Sequence, residues 1–222
     1  MNETISVEPN YKNERLIETW QLYLLITVLS VIISLAYQKI IMTQEVYYSI
    51  YSSQMEEYRI DDLIRFIEKF QIWGYIATPL FIWLRLAFVA FLIQLPFMIK
   101  YIEIPFNEIF RITAFAFLVL LSADVVRFFY LFFLPKELIT ADALMMTPLA
   151  ITNLLNKNNY SEITYLFLSK INVFEFFWTY IVYRELYRTG KINKIDSLLV
   201  VMSVWFGILV FIIALNLFLR TL

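Results

Sequence analysis

Residues 171–219 read INVFEFFWTYIVYRELYRTG, then KINKIDSLLV, then VMSVWFGILVFIIALNLFL. Two long apolar runs flank a short turn at 187–196. Around it Arg184, Arg188, Lys191 and Lys194 outnumber Glu185 and Asp196. The second run, 195–219, carries one charge, Asp196, near its start. A helix needs about 20 apolar residues to cross a hydrocarbon core about 30 Å thick. The pair therefore predicts a transmembrane hairpin. Lys and Arg concentrated in a short loop mark the side that stays in the cytoplasm, so the turn also predicts an orientation.

Composition agrees with that reading. The chain of 222 residues is 61% hydrophobic and 18% aromatic, where a soluble domain is roughly half apolar. A formal charge of −1 leaves no basic stripe for nucleic acid. Cysteine and histidine are both absent, which removes thiolate chemistry, disulfides and the commonest transition-metal ligand. No cofactor is expected.

Working outward, five spans are expected at residues 20–41, 72–98, 109–134, 163–186 and 195–219. They form one all-α membrane domain over 20–222, behind a short tail at 1–19. Trp20 and Lys39 stand near the ends of the first span as interfacial anchors. With no Gly or Pro between Tyr11 and Trp73, the first helix is expected to run on past the bilayer. Between spans one and two, Ile60, Leu63, Ile64, Ile67 and Phe70 recur at helical spacing opposite Arg59, Asp61, Asp62, Arg65, Glu68 and Lys69. That pattern predicts an amphipathic connecting helix, lying in the interface or packed over the spans. Five crossings put the termini on opposite sides, and the basic turn then sets the N-terminus in the cytoplasm.

The specific functional signal is charge inside the spans. Arg85 falls at the middle of span two, Asp124 and Arg127 lie one turn apart in span three, and Lys170 and Glu175 lie in span four. An ionisable group at mid-bilayer costs roughly 2.5–3.5 kcal/mol on insertion scales and faces a partner or a wet cavity. At 1.5 Å of rise per residue, Arg85, Asp124 and Glu175 fall at similar depth, so Arg85 is expected to pair with one of the carboxylates. Two readings follow. The cluster neutralises itself and holds the helices in register, or it forms a polar path for a proton, an anion or a lipid head group. The first is preferred.

Enzyme readings are weaker. No Ser stands in a Gly-x-Ser-x-Gly context, three glycines cannot build a phosphate loop, and each carboxylate has a basic neighbour.

The C-terminal half resembles the Yip1 family of five-span membrane proteins, in its bacterial branch. The residues that carry the likeness are Thr147-Pro148-Leu149, Leu154-Leu155, Ile171-Asn172-Val173-Phe174, Trp178, the Thr189-Gly190 turn and the lysines around Ile192. The resemblance implies a place in a bacterial inner (cytoplasmic) membrane. It also implies a scaffold or organising role without a catalysed reaction, with the lipid bilayer and other membrane proteins as partners. Eukaryotic members act with Rab GTPases through an N-terminal Asp-Leu-Tyr-Gly-Pro-like motif, which this chain lacks. The alternative is a small permease component that uses the central charges.

Overall fold

The computed structural model describes residues 18–156 and 159–221, and all its named elements are helical. The tail expected at 1–19 therefore lies almost wholly outside the described residues. Four described helices are long and apolar enough to cross a membrane: Thr19–Ile41, Glu57–Ile99, Phe106–Phe133 and Lys194–Leu219.

Helix α1 (Thr19–Ala36) starts at a reciprocal cap, in which the Glu18 N–H donates to Gln21 Oε1 at 3.0 Å. It passes into a π-helical turn, Tyr37–Ile41, and stops at Met42, with φ −83° and ψ 63°. The expected run-on past the bilayer does not occur. Thr43 is already extended and opens a new helix, α2 (Gln44–Tyr51).

Helix α3 (Glu57–Ile99) is 43 residues long, about 65 Å. The connecting helix expected as a separate element is the first third of this rod, continuous with the expected span 72–98. Gly74, Pro79 and Pro96 all sit inside the helix without interrupting it, because proline is tolerated where neighbouring groups re-satisfy the backbone. Tyr23 Oη donates to the Pro79 carbonyl at 2.8 Å and ties α1 to α3. Of the predicted stripe, Ile60 and Ile64 are buried beside Tyr47 of α2, Ile67 packs at the edge, and Phe70 is exposed. Tyr48 Oη donates to Asp61 at 2.7 Å across the same contact.

Helix α4 (Phe106–Phe133) is the hub and packs against α1, α3 and the later helix α7 (Val173–Arg188). Thr113, Ala114 and Ala116 are buried on it, and small residues let membrane helices approach closely. The main core joins Leu22 and Ile26 of α1, Leu86 and Ile93 of α3, and Ile109 and Ile112 of α4 to Trp178 and Val182. Trp73, Phe81, Phe88 and Phe91 of α3 point outward, the inversion expected where the solvent is lipid. After the short helix α5 (Ala141–Met145), the expected span 163–186 is two helices, α6 (Glu162–Ser169) and α7 (Val173–Arg188). The chain then turns through Gly190 (φ +69°) into α8 (Lys194–Thr221).

Charges tie the two ends of the bundle. At one end Lys100 Nζ pairs with Asp196, and Lys191 Nζ donates to the Glu103 carbonyl at 2.8 Å. At the other, Lys136 pairs with Glu45 at 3.0 Å beside a small core of Ile41, Val46, Leu131 and Ile139. The lone charge of the last apolar run thus serves the helix start, where the Asp196 N–H also donates to Asn193 Oδ1 at 2.8 Å.

Candidate functional site

The five charges expected as one intramembrane cluster fall into two pockets. In the first, Arg127 and Asp124 form an ion pair of 2.5 Å, one turn apart on α4. The Arg127 guanidinium also lies 6.0 Å from the Tyr37 ring centroid, and its Nε is buried without a partner. Arg85 of α3 lies 4.7 Å from the Phe117 ring, a cation–π distance. It makes no ion pair within 4.0 Å among the described residues.

The depth match predicts that Arg85 pairs with Asp124 or Glu175, and among the described residues it pairs directly with neither. Asp124 is held by a cation of its own helix, a contact that needs no interhelical register. Arg85, Asp124 and Arg127 line one cleft of about 440 Å³, together with Ser34, Tyr37 and Thr78. The π turn that starts at Tyr37 makes part of this wall, and such turns are frequent at functional sites. No sequence signal announces it.

The second pocket forms at the break between α6 and α7. Lys170 is the residue that ends α6, and Glu175 is the third residue of α7. Asn172 caps α7, its side chain accepting the Glu175 N–H at 2.9 Å. A cation at a helix C-terminus and a carboxylate in the first turn of the next helix both complement the local dipoles. Glu175, read from sequence as mid-span, is a helix-start residue. The spacing Asn172-x-x-Glu175 is the readable signal for that start.

The break is braced by the connection before it. The Ile151 N–H donates to the Ile171 carbonyl at 3.1 Å, and the Val173 N–H to the Leu149 carbonyl at 3.4 Å. Ala150 and Asn172 form an antiparallel bridge. Leu149 adopts φ +52° to make this approach, a left-handed conformation costing roughly 1–2 kcal/mol in a residue with a Cβ. Beyond the break a cavity of about 430 Å³ opens between α7 and α8, walled by Phe176, Tyr180, Tyr183 and Trp205. Glu175, Lys170 and Trp205 all line this cavity.

The two pockets share no lining residue. A larger cleft of about 800 Å³ lies apart from both, among Trp20, Tyr23, Trp83 and Phe110, with Arg111 at its edge. Chemically, the Arg85 cleft offers guanidinium donors to an anion, and the Glu175 cavity offers a carboxylate in an aromatic wall. Compared with known proteins, the chain matches no family model, no curated protein and no solved structure.

Proposed function

We propose that this chain is a non-catalytic, Yip1-like membrane protein of five crossings that organises other components of a bacterial inner membrane. Helix α7 alone, 16 residues, is about 24 Å long and falls short of a 30 Å core. With the 8 residues of α6 the pair reaches about 36 Å, and both pack on α8. The fourth crossing is then a broken helix, and the N-terminus lies in the cytoplasm with the basic turn. The backbone pairing of 149–151 with 171–173 joins two of the stretches that carry the Yip1 resemblance, which supports that reading.

One observation carries the non-transporting role. Asp124 is already paired with Arg127 on its own helix, and the two polar pockets share no lining residue, so they offer no continuous polar path. Reconstitution into proteoliposomes tests it. Proton and anion flux should not exceed that of protein-free vesicles, and isolation from native membranes should return a stoichiometric protein partner. A second reading, a permease component, is favoured by the break at Lys170–Asn172, because transporters bind substrates at interrupted helices. Flux that disappears in Glu175→Gln would establish that reading instead.

A further inference from the structure

We infer that the cleft between α1, α3 and α4 is a binding site for a phosphate group, with Arg85 and Arg127 as its ligands. The inference goes beyond the organising role and does not depend on it. Arg85, Arg127 and Asp124 give the cleft a formal charge of +1. Each guanidinium presents five N–H donors and no acceptor. Of these, the Arg127–Asp124 pair uses Nη2, while Nε of Arg127 is buried with no partner. Arg85 has an aromatic face beneath it and no carboxylate within 4.0 Å among the described residues. Donors therefore exceed acceptors in a setting where an unsatisfied guanidinium is costly.

A phosphate supplies what is missing. Its oxygens match the planar fork of arginine, and its charge balances the surplus. Placement favours a phospholipid as the source. Arg127 stands six residues before Phe133, the last residue of α4, about 9 Å along the axis. Tyr37 opens the final turn of the first span. A long arginine side chain can reach toward a head group from that depth. Ile33, Ile82, Leu121 and Leu144 complete the cleft with apolar wall, suited to the glycerol and upper acyl region of a lipid. Free phosphate shares the chemistry but has no use for that wall.

The test uses the full chain, stripped of lipid in a neutral detergent and titrated while its melting temperature is followed. Phosphatidylglycerol should stabilise it saturably, and a galactosyl diacylglycerol, with similar chains and no phosphate, should not. Arg85→Gln should weaken the apparent affinity about tenfold or more, as expected for losing hydrogen bonds to a charged group. Ser34→Trp, on the exposed face of α1, should block the cleft without removing a charge, and should weaken binding while melting like wild type when no lipid is added. A third arm uses inorganic phosphate. If it stabilises the protein as well as phosphatidylglycerol does and competes with it, the phosphate site stands and its source is soluble. Equal stabilisation by the galactolipid overturns the site. So does undiminished phosphatidylglycerol binding in Ser34→Trp, a variant whose reading does not rely on Arg85→Gln folding.

Discussion

Asn172 decides where the fourth apolar run breaks. Its side chain replaces a helical backbone acceptor for the Glu175 N–H, so Asn172→Ala should lower stability by about 1 kcal/mol in a thermal or denaturant melt. Asn172→Asp should be near neutral. Gly190 has φ +69°, and a Cβ there would meet nothing within 4 Å. Gly190→Ala should therefore lose about 1 kcal/mol purely from backbone conformation. Gly207, helical and equally open, should tolerate alanine or gain up to about 1 kcal/mol. Equal effects at the two glycines would contradict this assignment. Tyr48 gives a pH signature. Its hydrogen bond to Asp61, with a smaller effect of burial, raises its pKa above the ordinary 10.0. The folded state then keeps the proton longer than the unfolded chain. The contribution is complete below pH 10 and is lost as pH rises through the raised value. Tyr48→Phe should flatten that alkaline limb of the stability profile and lower stability at neutral pH, where the hydrogen bond to Asp61 is intact.

At the scale of elements, the long apolar runs were legible and the interruptions were not. Spans expected at 20–41, 109–134 and 195–219 correspond to Thr19–Ile41, Phe106–Phe133 and Lys194–Thr221, because a run of that length has only one helical use in a bilayer. The absence of Gly and Pro misled in one place and informed in another. It did not carry α1 past Met42, where a π turn and an extended Thr43 intervene. It did carry α3 without a break from Glu57 to Trp73, and the helix then continues to Ile99 through Gly74, Pro79 and Pro96. The charges were found, but their grouping was not, since depth along separate helices says nothing of which faces meet. Hence Arg85 lies against Phe117 and not against a carboxylate. The continuous α3 makes a prediction of its own. Ile64 is 5% exposed, and Ile64→Ala should cost about 2 kcal/mol or more. Among the described residues Asp62 pairs only with Arg65, on a solvated face, so Asp62→Lys should stay within about 0.5 kcal/mol. Equal losses at the two positions would show that this stretch is enclosed on both sides.

For the whole molecule, the lysine contacts at the two ends sort the connections. Lys100–Asp196 and Lys191–Glu103 gather the 100–105 loop with the α7–α8 turn, while Lys136–Glu45 gathers α2 with the start of the long connection after α4. If α6 and α7 together cross the bilayer, those groups face opposite compartments. Because the chain has no cysteine, single cysteines can be placed on a clean background and labelled in intact cells with a membrane-impermeant maleimide. The five-crossing account predicts that Thr189→Cys and Glu103→Cys are protected until the cells are opened, while Ser52→Cys and Asn159→Cys react from outside. Labelling of Thr189→Cys and Asn159→Cys from the same side would contradict it, leaving α6 and α7 as a re-entrant pair between four crossings.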